Sequence, residues 1–330
     1  MNTKVLVSGA GGFIGHHLTK RLKKEGFWVR GVDLKDPEYE TSAADEFEIL
    51  DLRSADNCLR ATRGIDQVYN LAADMGGIGY ITSHLADIFR NNILINTHMI
   101  EASRANGVKK FLFSSSACIY PASLQRKSDV TPLKEEDAFP AEPEAGYGWE
   151  KLASEELCRY YHKDYALETF VVRFHNVYGP LGTYEGGKEK SPAALCRKVA
   201  LAEDGDVVEI WGDGKQTRSY MYVDDCIEGL LRLMASGCHD ALNLGTDRLV
   251  TIDELFHLIA GLAGKKLRVR HDLSQPQGVR GRNSDNSRLR QVLGWEPGTP
   301  LEDGLRTTYL WIESELRKSG RLLEEKNATA

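Results

Sequence analysis

The sequence predicts an α/β protein, a doubly wound parallel sheet with a smaller α/β domain at its C-terminal side. Three observations lead there. Short apolar runs alternate with helical patterns through the first half of the chain. A glycine-rich turn, Gly9-Ala10-Gly11-Gly12-Phe13-Ile14-Gly15, joins the first apolar run to the first helical pattern. After Arg173 the alternation loosens into Gly-rich segments with short elements between them.

The elements follow in order. KVLVS at 4–8 reads as the first strand and 13–25 as the first helix. Strands are expected at 28–33, 46–50 and 67–71, a long helix at 84–106, and a fifth strand at 109–114. A helix over 147–165 precedes a sixth strand at 168–173. Such short apolar runs suit strands covered on both faces. Further on, helices are expected near 191–203 and 251–262, and 225–245 is expected to return to the sheet. Residues 1–175 therefore read as a dinucleotide-binding domain, with 219–246 rejoining it, and 176–330 mainly as a substrate-binding domain. The polar tail after Arg317 is expected to fray.

Composition narrows the function. The net charge of −6 gives no basic field for nucleic acid or an anionic membrane. An anionic small substrate would need local cations. The six cysteines, Cys58, Cys118, Cys158, Cys196, Cys226 and Cys238, form no CxxC pair, and no histidine cluster has metal spacing. No metal site and no disulfide framework are expected. The N-terminal residues run directly into a strand, and no apolar run reaches membrane length. These features predict a cytoplasmic protein without a membrane partner.

In the glycine turn, Gly9, Gly12 and Gly15 permit a tight bend, close approach to a pyrophosphate and close helix–strand packing. Phe13 and Ile14 open the helix, whose first N–H groups face the phosphates. Asp33, at the end of the second strand, is spaced for the ribose hydroxyls and disfavours a 2′-phosphate, so NAD is expected over NADP. Asp51 and Leu52 follow the third strand and are placed to meet the adenine edge. An ordinary loop acid is an equally good reading of Asp51.

Tyr147-Gly148-Trp149-Glu150-Lys151 is a YxxxK pattern, which puts Tyr147 and Lys151 on one helix face. A phenol ordinarily titrates near 10, too high for a base at neutral pH. A neighbouring ammonium and a positive nicotinamide favour the phenolate. The pair can then take a proton from a sugar hydroxyl as hydride leaves. Ser116, just past a strand, could hydrogen-bond the same hydroxyl or simply cap the strand end.

The ordered set GAGGFIG, NLAA (70–73, with Leu71, Ala72 and Ala73), YGWEK, RFHNVYGP (173–180) and WGDGKQTRSYMYVDD (211–225) resembles the extended short-chain dehydrogenase/reductase family, and especially its nucleotide-sugar epimerases and dehydratases. The resemblance covers nearly the whole chain. It implies a Rossmann-type domain, bound NAD and a nucleoside-diphosphate sugar.

That family reads S-S-x-x-V-Y at the end of the fifth strand, and the two middle residues differ with the reaction. Sugar 4,6-dehydratases carry Asp-Glu there. This chain has Ala117-Cys118. A thiol is within reach of neutral pH as a base beside a ketone. Buried packing is the usual state of a free cysteine, and the other five take it. Cys118 differs because carboxyl ends of parallel strands face the ligand crevice. A base on one ring face needs an acid on the other. Lys190, in a Gly-rich stretch just before a helix that Pro192 could help start, is the candidate.

Within the family, SSACIYP, DMGGIGY (74–80), GGKEKSPAA (186–194) and QGVRGRNSDN (277–286) resemble the GDP-mannose 3,5-epimerases. The resemblance implies an acid/base pair at Cys118 and Lys190 and the tyrosine–lysine pair at Tyr147 and Lys151. It puts substrate contacts on Asn176, Lys198, Gln216, Arg218 and either Arg280 or Arg282. Gly76 and Gly77, in the loop after the fourth strand, would approach the hexose. It further implies a GDP-sugar substrate, with GDP-mannose expected, and a homodimer formed through the helices at 84–106 and 147–165. The alternative is a 4-epimerase, or an epimerase of a related GDP-hexose or heptose. A 4-epimerase needs Tyr147 and Ser116 but neither Cys118 nor Lys190.

Overall fold

The structure is a computed structural model that describes residues 2–322. The N-terminal half supplies strands β1 (Lys4–Ser8), β2 (Trp28–Asp33), β3 (Glu46–Ile49), β4 (Gln67–Asn70), β5 (Lys110–Ser116) and β6 (Glu168–Phe174). Between them run helices α1 (Phe13–Lys24), α2 (Ala55–Thr62), α3 (Ile78–Ser83), α4 (Leu85–Ala105) and α5 (Ala145–Tyr165). The later part adds β7 (Asn176–Tyr178), β8 (Val207–Trp211), β9 (Thr217–Arg218), β10 (Tyr220–Tyr222), β11 (Leu242–Leu244), β12 (Val250–Thr251), β13 (Arg268–Asp272) and β14 (Gly281–Arg282). Its helices are α6 (Ser191–Leu201), α7 (Val223–Ala235), α8 (Ile252–Leu262), α9 (Ser287–Leu293) and α10 (Leu301–Lys318).

Seven strands form one sheet in the order β11-β6-β5-β4-β1-β2-β3, and every pairing is parallel. Val5, Leu6 and Val7 of β1 are all fully buried, as a central strand covered by helices on both faces requires. Each such side chain contributes about 1.5–3 kcal/mol through burial. One face packs against α1 and α7 through Leu18, Leu22, Ile227 and Leu230. The other packs against α2, α4 and α5 through Cys58, Met99, Ile100 and Cys158. A separate core joins α6, α8 and α10 through Val199, Phe256 and Ile312. The expected return to the sheet is present as β11, which lies at the edge beside β6.

The departures from the sequence reading are small and have local causes. β5 runs two residues beyond 114, because Ser115 and Ser116 continue its ladder against β6. α5 starts at Ala145, two residues before the tyrosine. Of the tail expected to fray after Arg317, α10 still includes Lys318, and residues 323–330 lie outside those described.

The topology determines where a ligand can sit. Chain order reverses at β1, whose neighbours are β2 and β4. The carboxyl ends of β1 and β4 therefore diverge into opposite crossovers and leave a crevice between them.

Candidate active site

A continuous cavity of about 930 Å³ opens at that crevice and runs from the glycine turn to Trp211. At one end lie Gly9, Gly12, Phe13, Ile14, Gly15, Asp33, Asp51 and Leu52. Leu71, Ala72 and Ala73 line the middle, ahead of Ser116, Cys118, Tyr147 and Lys151. Gly76, Gly77, Asn176, Lys190, Lys198, Gln216, Arg218 and Arg282 line the rest. Of the residues anticipated from sequence, Arg280 alone is not in the lining. Its Nη1 donates to Asp213 Oδ1 at 2.7 Å instead.

The glycine turn is shaped for close approach. A Cβ on Gly15 would lie 2.1 Å from the Gly9 carbonyl oxygen, so helix and turn can pack this tightly only without a side chain. Asp33 supports the turn from behind: its Oδ2 accepts from Gly11 N at 2.9 Å and its Oδ1 from Leu34 N at 2.6 Å. Burial raises its pKa, against those backbone donors. Asp51 is engaged by Arg53, whose Nη2 donates to Oδ2 at 2.6 Å, and its pKa is lowered by that guanidinium.

Titratable side chains gather beside Ser116 and Cys118 in the same cavity. Tyr147 and Lys151 are both buried, and Lys151 Nζ lies 5.4 Å from the centre of the Tyr147 ring. The same ammonium is 3.7 Å from Glu150 Oε1, a carboxylate with no exposure at all. Asn92 and Asn96 of α4 donate to Glu150 at 2.9 and 3.2 Å, so α4 holds the pair in place. The sequence predicts a phenol pulled down jointly by its lysine and a positive nicotinamide. In the protein alone burial dominates and pushes Tyr147 up, reinforced by Glu150 and Cys118, with Ser116 opposing. Ser116 does cap the strand end, its Oγ accepting from Cys118 N at 3.2 Å, while its hydroxyl also favours ionisation of the phenol.

Cys118 is half-buried, on the one-turn 3₁₀ segment Ala117–Ile119 at the end of β5. Arg282 Nη1 donates to its Sγ at 3.6 Å. Burial raises the thiol pKa, followed by the Glu144 charge, with Arg282 pulling the other way. Lys190 caps α6, which carries Pro192 in its first turn. Its side chain is accessible to solvent within the cavity, yet the surrounding walls withdraw bulk water and lower its pKa, opposed by Cys118. Gly77 lies directly under this segment: a Cβ there would meet the Glu189 carbonyl oxygen at 2.8 Å.

Arg218 and Arg282 are register partners on the parallel strands β9 and β14. Burial, then repulsion from Arg282, lowers Arg218 to about 10, which still leaves it cationic at neutral pH. Arg282 is already paired with Glu144, its Nη2 donating to Oε2 at 2.7 Å, while a guanidinium such as that of Arg218 in a partly dry cavity is suited to an anion. Asn176 Nδ2 donates to Ser219 O at 3.0 Å, and Lys198 Nζ to Glu209 O at 2.7 Å. Gln216 Nε2 donates to Trp211 O at 3.1 Å, while its buried Oε1 has no partner among the described residues.

Residues 5–245 match the NAD dependent epimerase/dehydratase family. The chain belongs to that family. GDP-mannose 3,5-epimerase of Arabidopsis thaliana is 49% identical over 319 residues, covering 96% of this chain and 84% of that relative. Among solved structures, UDP-glucose 4-epimerase of Thermotoga maritima, determined with UDP-glucose, superposes with a TM-score of 0.86 at 28% identity. That match covers 95% of this chain and all of the other. UDP-glucuronic acid 4-epimerase from Bacillus cereus, solved with UDP-glucuronic acid and NAD, gives 0.81 at 26% identity, with 95% and 100% covered.

The cofactor of this family is NAD, and the cavity fits it: the glycine cradle, the Asp33 carboxylate and the Tyr147–Lys151 pair all line it. Among the described residues there is no cluster able to hold a metal ion, and no helix long and apolar enough to cross a membrane. The sequence reading missed Glu144, which lines the cavity beside the thiol. Nothing around it in the sequence signals that role, because its partner Arg282 is 138 residues away.

Proposed function

We infer that the protein is a GDP-mannose 3,5-epimerase. The observation that carries this reading is the presence of a thiol, Cys118, in the same cavity as Lys190 and the Tyr147–Lys151 pair. The 49% identity to a relative of that name over almost the whole chain supports it.

NAD, when bound, supplies a reversible hydride store for C4 of the sugar and a positive ring that favours the Tyr147 phenolate. Tyr147 takes the proton of the 4-hydroxyl and gives it back at the end, with Lys151 beside it. At the 4-keto stage the hydrogens on C3 and C5 are acidic. Cys118, as thiolate, removes a proton from one face, and the Lys190 ammonium delivers one to the other. Arg218 grips the diphosphate, and Arg282 works at the sugar end beside the thiol. Gly76 and Gly77 let the α3 loop approach the hexose, while Asn176, Lys198 and Gln216 serve the nucleotide side.

The test is incubation with GDP-mannose in deuterated water, followed by NMR. Deuterium is expected at C3 and C5, and Cys118→Ala and Lys190→Ala should each abolish it. A product inverted only at C4 without exchange, or wild-type exchange in Cys118→Ala, would overturn the reading.

The protein acts as a cytoplasmic homodimer in this reading. Leu85, Phe89 and Trp149, on α4 and α5, remain exposed in the single chain, and two such helix pairs would bury them as a four-helix bundle. Light scattering should give twice the chain mass, and Phe89→Asp should reduce it to that of one chain. A monomeric wild type would refute the dimer.

A further inference from the structure

We propose that Glu144 is a positioning residue that fixes the Arg282 guanidinium against the Cys118 sulfur and governs how readily that thiol ionises. This rests on the reading of Cys118 as the base. The geometry is a closed triangle. Glu144 Oε2 accepts from Arg282 Nη2 at 2.7 Å, and Arg282 Nη1 donates to Cys118 Sγ at 3.6 Å. The third side is backbone: Glu144 N donates to the Cys118 carbonyl at 2.8 Å, which ties the main chains from which the carboxylate and the thiol extend. Gly148 completes the fit, since a Cβ there would lie 2.3 Å from that same carbonyl oxygen. Arg282 is steadied from its other side by Gln125 Oε1, which accepts from Nε at 2.6 Å.

The two ionic groups act on the thiol in opposite senses. Arg282 favours the thiolate, and Glu144 disfavours it. The other groups facing the sulfur are Tyr147 on α5, Arg218 on β9, Lys190 before α6 and the Ser116 hydroxyl on its own segment. Among these Glu144 is the anion held by Arg282. Its effect is to keep the thiol protonated to higher pH while making the thiolate, once formed, a stronger base. A stronger base is what removal of a carbon-bound proton requires.

The experiment uses the NAD-loaded protein. The rate of Cys118 alkylation by iodoacetamide is followed against pH by mass spectrometry of its peptide, beside the pH profile of deuterium exchange into GDP-mannose. Glu144→Gln keeps an acceptor for Arg282 and deletes only the charge. The alkylation midpoint and the acid limb of exchange should both fall by about one pH unit. Arg282→Gln removes the opposing cation and should move the alkylation midpoint upward. An unmoved or raised midpoint in Glu144→Gln, or both variants moving the same way, would overturn the proposal. Should Glu144→Gln fail to fold, an unmoved midpoint in Arg282→Gln would overturn it alone. Alkylation reports the thiol whatever reaction it serves, so loss of the 3,5-epimerase reading would show separately, as wild-type exchange in Cys118→Ala.

Discussion

His175 is held neutral by its surroundings. It lies buried between β6 and β7, and Asn243 Oδ1 lies 3.4 Å from its Nε2. Burial, reinforced by Arg282 and Arg173, depresses it to about 3. An unfolded chain protonates this ring below about pH 6.5. The folded state does not, so the stability it supports is complete above pH 6.5 and is lost as pH falls toward 3. Between pH 7 and 5 the wild type should therefore lose roughly 2 kcal/mol more than His175→Gln. Urea unfolding at the two pH values measures this, and parallel losses in both proteins would contradict it.

At the scale of elements, the active site depends on the fit between the α3 loop and the segment that ends in Lys190. Gly77 passes beneath the Glu189 carbonyl with no room for a methyl group. Gly77→Ala should push that segment outward and displace Lys190 by about an ångström, which, on the proposed role of Lys190, can cost about 100-fold in rate. The glycine turn and Asp33 are remote from the change, so retained NAD, measured after denaturation, should match the wild type. Unchanged turnover would show that the fit does not matter. This contact also marks the boundary of what the sequence discloses. The six N-terminal strands and the glycine turn are legible because each is local: an apolar run, a helical period, a turn. The strands β9, β12 and β14 are two residues each, too short for any period, and they exist only through their partners. Tyr147 and Lys151 share a five-residue motif, whereas Glu144 meets Arg282, and Gly77 meets Glu189, only after folding.

For the whole molecule, one buried ion pair ties several layers together. Arg173 on β6 donates from Nη2 to Glu155 Oε2 on α5 at 2.8 Å, and from Nη1 to the Glu135 carbonyl at 2.8 Å and the Tyr120 hydroxyl at 3.1 Å. Ser115 of β5 donates to the same Glu155 carboxylate. Arg173→Met leaves that carboxylate buried without its cation. The expected loss is about 3–5 kcal/mol in urea unfolding. The double variant Arg173→Met with Glu155→Leu should recover much of it, because a paired ion replaced by apolar groups costs far less than a stranded one. Failure of the second substitution to rescue would show that the surrounding hydroxyls and carbonyls, and not the charge, carry the loss.

The register between β9 and β14 sets Arg218 opposite Arg282, with Thr217 N donating to Arg280 O and Ser219 N to Arg282 O. Sliding β14 by a single position would bring Gly281 or Asn283 to that place and turn the guanidinium toward the opposite side of the ladder. A side-chain exchange at either position leaves this register intact, because the ladder is held by backbone groups. A one-residue insertion within either strand would separate Arg218 from Arg282, and so from the thiol that Arg282 touches, in a single step.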